Sequence, residues 1–387
     1  MQAYQRRFLT TAIIPYLSLR LLTSILLALV AWLIPVWIQP NTPHDPLLLA
    51  QLENGSAFAR LFLAPWYRWD TVHYMEIAQV GYADLQNTIW PPMYPLLIRL
   101  GMALGLHPFI STLVISNLAA IGVFGLLYRM VDQLWGADIA RNSLIGMVFF
   151  PTAFFLLAGY SESIFLFFSL ACLSAIQNKS WLLAGILAAV TTLTRHQGIL
   201  LVLPMAWEGI QAFRQSRSIT KALPWLAALA LPSMAMLSFG LYTHFALGAT
   251  WPWETVSAGW NQHLGWPWEG LLGNISALLR GATIGAGGLW INLGLTLLTI
   301  GLLAAGTRLL PAGQQLYAWA LLLSVLVKVQ NDGLLGAMAR YTLLIFPLFF
   351  VLGRALTNRV LRVAWCVLSM SLQAVLLMGF YWWAYVP

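Results

Sequence analysis

Apolar residues run in long, nearly uninterrupted blocks along this chain, and polar positions collect in the connections between them. That is neither the one-sided stripe of a helix half in water nor the alternation of a half-buried strand. Measured against the roughly 20 residues an α-helix needs to cross a bilayer, eleven blocks are candidates for transmembrane helices. They lie at 13–38, 109–130, 142–159, 161–177, 181–196, 198–211, 222–247, 284–306, 315–330, 338–353 and 361–385. The two that flank 195–198 are short, so they are expected to be tilted or to form a re-entrant pair. A further segment, 93–106, is apolar but broken by Arg99 and reads as interfacial. The predicted fold class is an all-α polytopic membrane protein with about 11 transmembrane helices, forming a single domain over 1–387.

Composition agrees with this reading. Hydrophobic residues make up 60% of the 387 positions and charged residues only 8%, against roughly 45–50% and 25% in an ordinary soluble domain. So few charges cannot solvate the exterior of a water-soluble fold of this size. A soluble enzyme, a disordered chain and a nucleic-acid-binding domain are excluded. The net charge of +8 is then a matter of topology. Arg6, Arg7, Arg129, Arg141, Lys179, Arg214, Arg217, Lys221, Arg308, Arg354, Arg359 and Arg362, twelve of the 20 basic residues, fall on one side when the connections alternate. The positive-inside rule makes that side cytoplasmic, with the N-terminus on it. The block after Arg7 exceeds a signal h-region of about 7–15 residues and lacks a small-residue cleavage site, so it is expected to stay as an anchor. Cys172 and Cys366 both lie inside apolar blocks, which suits neither a disulfide framework nor a metal cluster.

Two long loops, 39–106 and 248–283, fall on the opposite, extracytoplasmic side. The first contains strong helix punctuation; the second carries Trp251, Trp253, Trp260, Trp266 and Trp268. Tryptophans at that density suit a membrane-interface belt, with a sugar-stacking platform as the other reading. No internal repeat is visible, and the halves do not show the matching broken segments of an inverted-repeat transporter.

Candidate chemistry concentrates on this same side. In Arg68-Trp69-Asp70-Thr71-Val72-His73-Tyr74, continuing to Gly81-Tyr82, the spacing predicts a short helix with Asp70 at its N-cap and Gly81 just past its end. Asp70 and His73 then share one edge; a plain capping acid beside a packed histidine fits the same spacing. Glu162, in Gly159-Tyr160-Ser161-Glu162-Ser163, sits between two apolar blocks, where an ionisable residue marks either a site or a helix start bonded to backbone amides. Arg195, in Thr194-Arg195-His196-Gln197-Gly198, Lys328 and Arg340 each need an anionic partner at membrane depth. A lipid phosphate would serve, and so would a structural ion pair such as Arg195 with Glu162.

These segments resemble the GPI mannosyltransferase II (PIG-V type) proteins and their prokaryotic relatives, multi-span glycosyltransferases of the GT-C fold. The carriers are Arg68-Trp69-Asp70-Thr71-Val72-His73-Tyr74, Pro92-Met93-Tyr94-Pro95-Leu96-Leu97, Phe150-Pro151-Thr152-Ala153-Phe154-Phe155, Tyr160-Ser161-Glu162-Ser163, Leu193-Thr194-Arg195-His196-Gln197-Gly198 and Arg340-Tyr341. Their order and spacing fit over about residues 60–350. The chain departs from the pattern at Trp90-Pro91-Pro92-Met93-Tyr94-Pro95, where the family shows a Phe-Pro-Leu-Tyr-Pro-like run, and at His196, where it more often has proline.

The resemblance implies a GT-C-like fold with a large helical first external loop. It also implies an inverting glycosyltransferase that moves a monosaccharide, mannose, from a polyprenyl-phosphate donor to a glycan, glycolipid or other hydroxyl acceptor on the extracytoplasmic face. Asp70 matches the family's first-loop general base. His73, Tyr94, Glu162, Arg195, His196, Arg340 and Tyr341 are the expected substrate-binding residues, with Arg195 and Arg340 on the donor phosphate. No cofactor is implied, and a divalent metal is compatible but not called for. The rival readings are a transporter or lipid flippase, which also uses broken helices and intramembrane charges, and a non-catalytic scaffold.

Overall fold

Pro151 and Pro347 each interrupt an apolar block of this chain. The computed structural model describes residues 2–33, 45–281 and 286–384. In chain order the helices are α1 (Gln2–Leu33), α2 (Pro46–Glu53), α3 (Asp70–Val80), α4 (Met93–Ala103), α5 (Pro108–Trp135), α6 (Ala137–Val148), α7 (Glu162–Gln177), α8 (Trp181–Thr194) and α9 (Val202–Ser216). They continue as α10 (Ile219–Leu241), α11 (Pro252–Gly259), α12 (Glu269–Leu279), α13 (Ala286–Gly306), α14 (Ala312–Leu326), α15 (Met338–Leu344), α16 (Pro347–Ala355) and α17 (Arg359–Tyr381). Three-residue strands β1 (Gln262–Leu264) and β2 (Lys328–Gln330) pair antiparallel, with Gln262 opposite Gln330 and Leu264 opposite Lys328. The chain is a multi-pass integral membrane protein with an all-α architecture.

Each of the eleven blocks carries a helix, but the helices are not eleven full crossings. Among the described residues, five helical stretches have the length and apolarity of a span: Thr11–Leu33, Pro108–Trp135, Ala222–Ala246, Gly288–Gly306 and Arg359–Tyr381. A sixth is reached if α15 and α16 count as one. Those two meet at 87°, because Pro347 removes an amide donor and drives the residue before it out of the α region. Block 142–159 is cut short likewise: α6 stops at Val148, ahead of Pro151, and a 3₁₀ turn at Ala153–Leu156 follows. Block 315–330 ends as strand β2, which runs against its helical reading. The 34–38 end of the first block, the 39–44 start of the first loop, 284–285 and 385 lie outside the described residues.

Backbone contacts divide the chain into two compact units. The first comprises Met1–Gly81, Tyr94–Ile164 and Leu352–Val386. In it α5 packs along α1 and α6, α17 lies against α1 and α6, and α3 rests on α5. Phe124, Leu127 and Val131 of α5, Leu144 and Met147 of α6, and Leu377 and Phe380 of α17 are buried there.

The second unit comprises Tyr82–Met93 and Phe165–Val351. Its densest pair is α8 on α10, joined by α9 and α14. The break between α8 and α9 is a 3₁₀ turn, His196–Leu201. Gly198 of that turn lies so close to α8 that a Cβ would overlap the Thr191 and Thr192 backbone. In the second loop, α12 buries Gly270 and Asn274 while Leu272, Ile275 and Leu279 face outward. Asn274 donates Nδ2–H to the Leu289 carbonyl at 3.1 Å and accepts from the Leu335 amide at 2.9 Å.

Candidate active site

In the first unit, Asp70 is the first residue of α3, one position inside the expected N-cap. Trp69 occupies the cap position, with φ 48° and ψ −123° and no side-chain capping bond. A non-glycine residue held there costs on the order of 1–3 kcal/mol and recurs at functional sites. Asp70 is 7% exposed and His73, one turn on, is half-buried. Gly81 ends the helix at φ 76°, as its position predicts.

Buried hydrogen bonds fix α3 to its neighbours. The Tyr74 hydroxyl donates to the Ser161 hydroxyl at 2.8 Å, next to Glu162. The Tyr94 hydroxyl donates to the Thr112 carbonyl at 3.0 Å and lies 2.8 Å from the Ser116 hydroxyl. Ser116 donates in turn to the Tyr160 carbonyl at 2.9 Å. The Tyr74 and Tyr94 rings meet edge to face at 4.7 Å. Glu162, fully buried, opens α7, and its charge bears on Tyr94. Gly159 makes this closeness possible: a Cβ there would come within 2.5 Å of the Thr112 hydroxyl and 2.8 Å of the Thr71 methyl. Asp70, His73, Tyr94 and Glu162 thus share one unit, and Tyr94 is built into its hydrogen-bond ladder.

Arg68 is a residue the sequence reading quoted but gave no role. It is 1% exposed. Its Nε donates to the Tyr381 carbonyl, and Nη1 to the Ala64 and Tyr67 carbonyls, each at 2.9 Å. Burial pushes its guanidinium down to about 10, with the nearby Tyr381 and Glu53 opposing that shift. It therefore remains a cation at neutral pH.

The second unit holds Arg195, His196, Arg340 and Tyr341. Arg195 ends α8, and its guanidinium lies over the Tyr341 ring, 5.5 Å from the centroid. His196 opens the following turn, its ring 6.3 Å from Phe239. Lys328 and Arg195 both act electrostatically on that imidazole, so Lys328 of β2 joins the cationic group. Arg340 lies in α15, whose start at Ala337 has φ 52°. Among the described residues no three His, Cys, Asp or Glu side chains gather in a metal-binding group.

Residues 90–239 match the family described as dolichyl-phosphate-mannose-protein mannosyltransferase. The chain is also similar to the rat protein named GPI alpha-1,6-mannosyltransferase 2, with 26% identity over 245 residues, covering 59% of this chain and 49% of the rat protein. The fission-yeast (Schizosaccharomyces pombe) protein named GPI mannosyltransferase 2 is 25% identical over 154 residues, or 39% of this chain and 33% of its own. The chain spans about half the length, or less, of these curated relatives. Among solved structures, ArnT from Cupriavidus metallidurans bound to undecaprenyl phosphate gives a TM-score of 0.46 at 13% identity, covering 87% of this chain and 60% of that one. The resemblance to GPI mannosyltransferase II proteins read from the motifs is thus met again in overall sequence similarity.

Proposed function

We propose that this chain is an inverting glycosyltransferase that moves mannose from a polyprenyl-phosphate donor to an acceptor hydroxyl on the extracytoplasmic side of the membrane. The observation that carries the reading is Asp70. This buried acid opens α3 directly after a strained tryptophan, in the motif that resembles the family's first-loop base. The match of 90–239 to a family described by dolichyl-phosphate-mannose supports the donor class, and the relatives' names support mannose.

Asp70 takes the proton from the acceptor hydroxyl as its oxygen attacks C1 of the sugar. The C1–oxygen bond to phosphate breaks on the opposite face, and the electron pair leaves with polyprenyl phosphate. The negative charge that grows on the leaving group is met by Arg195 and Arg340, whose planar forks suit phosphate oxygens. His73, Tyr94, Glu162, His196 and Tyr341 shape the binding of sugar and acceptor. The basic residues of the short connections support a cytoplasmic N-terminus and two long loops outside.

The test is turnover of radiolabelled mannosyl-phosphoryl-polyprenol by the purified chain in nanodiscs, with an α-mannoside bearing a free primary hydroxyl as acceptor. Released polyprenyl phosphate and labelled product are expected from the wild type and not from Asp70→Asn. Movement of intact donor between the leaflets of proteoliposomes, without sugar transfer, would overturn the reading in favour of a flippase.

A further inference from the structure

We infer that residues 381–383, at the end of α17, position Asp70 by clamping Arg68 and Trp69; this rests on the reading of Asp70 as the base. Arg68 joins chain segments 313 positions apart through its bond to the Tyr381 carbonyl. Its other donors hold the Ala64 and Tyr67 carbonyls of the turn that leads into α3. The guanidinium also lies over two rings of the C-terminal segment, 5.2 Å from the Tyr381 centroid and 5.0 Å from that of Trp383. Trp383 in turn meets the Trp69 ring at 5.8 Å.

Both tryptophans adopt positive φ, 48° at Trp69 and 59° at Trp383. Bulky residues stay in that region only where the surroundings over-determine them. Here each ring contributes to the other's surroundings, with the guanidinium between the segments. Trp69 immediately precedes Asp70, so its backbone torsions set the direction in which α3 departs and therefore where the carboxylate sits. Stability alone does not call for an arginine here, because apolar groups of similar volume are often as stabilising as buried charge. What arginine adds is a rigid fork that bonds several carbonyls at fixed angles, which the point charge of lysine cannot copy.

The full chain in nanodiscs tests this with the same donor and α-mannoside. Arg68→Lys and Trp383→Ala are expected to lower kcat on the order of 10²-fold, the effect of misplacing a reacting group by about 1 Å. The donor KM should stay near wild type. The melting temperature falls with the lost ring in Trp383→Ala, so kcat is taken per folded molecule, and Trp383→Phe, which keeps a ring, should recover most of the lost turnover. Normal kcat in folded Trp383→Ala, or a loss of activity that only follows a loss of folded protein, overturns the positioning role. Two outcomes keep the two readings apart. If Asp70→Asn is inert while Arg68→Lys and Trp383→Ala turn over normally, the clamp alone is wrong. If Asp70→Asn is fully active, the site itself is wrong and the clamp with it.

Discussion

The Tyr74 hydroxyl reaches across 87 positions of sequence to donate a 2.8 Å hydrogen bond to the Ser161 hydroxyl. That bond ties the helix that begins at Asp70 to the turn that delivers Glu162. Two acids read separately from the sequence therefore belong to one braced patch of the first unit, and local motion of α3 is resisted by the buried ladder through Tyr94, Ser116 and Tyr160.

Asp70→Asn should lower transfer by about 10²–10⁴-fold, the usual contribution of a general base. The melting temperature should change little, since the amide keeps the shape of the carboxylate and remains at the first turn of α3. Donor-turnover kinetics beside a thermal melt of the same preparation separate the two effects.

Arg195→Ala and Arg340→Ala should each raise the donor KM and lower kcat, because a contact with the leaving phosphate strengthens as charge develops. Lysine at either position should restore only part of the activity. Arg195 also covers the Tyr341 ring at 5.5 Å, so Tyr341→Leu should weaken donor binding less than Arg195→Ala does. An Arg195→Ala variant that melts early but binds donor normally would show that the residue is structural.

Gly198→Ala should destabilise the protein by at least about 1–3 kcal/mol, the common cost of overpacking, because the added methyl meets the α8 backbone and not a movable side chain. Thermal unfolding in detergent is the measurement. Loss of activity should follow loss of folded protein, in contrast to Asp70→Asn.

The short β1–β2 pair should loosen as pH rises. Hydrogen bonds to Asn331 and to the Glu269 carboxylate hold the His263 imidazole above its ordinary value. A raised folded pKa means that this contribution is complete below the unfolded value of about 6.5. It is lost as pH climbs through the raised folded value. Amide protection at 262–264, measured relative to the intrinsic exchange rate at each pH, should therefore fall across that window, and His263→Gln should remove that fall.

Single cysteines placed in 248–281 on a Cys172→Ser, Cys366→Ser background should react with an impermeant maleimide in intact cells. Cysteines at 212–218 should stay silent until the membrane is opened. The reverse pattern would invert the sidedness read from the basic residues.

Much of the fold was legible because apolarity over a span-length window needs no partner to be recognised: each of the eleven blocks carries helix. Where those helices stop was less so. Pro347 was in plain view, yet a proline announces a break without its angle, here 87° between α15 and α16. The strand at Lys328–Gln330 depends on Gln262–Leu264, more than sixty residues away, so an apolar run could only suggest more helix. The candidate residues divide the same way. Asp70, Glu162 and Arg195 announce themselves as charges beside apolar blocks. Arg68 does not, since its meaning lies in the Tyr381 carbonyl at the far end of the chain. The one-residue shift of Asp70 from cap to first turn arises from the positive φ of Trp69, a tertiary effect that capping preferences do not contain.

The burial of Asn274 has a practical consequence. Asn54-Gly55-Ser56 and Asn274-Ile275-Ser276 are both acceptor sequons, but they are unequal witnesses to which side of the membrane they occupy. Asn54 is exposed at the end of α2. Asn274 spends its amide on the Leu289 carbonyl and its oxygen on the Leu335 amide, leaving an oligosaccharide-attaching enzyme no free nitrogen to modify. In a glycosylating host the folded protein would carry sugar at Asn54 and not at Asn274. A glycan found at Asn274 would therefore record the moment before folding, a timestamp of α12 passing through the membrane still unpacked.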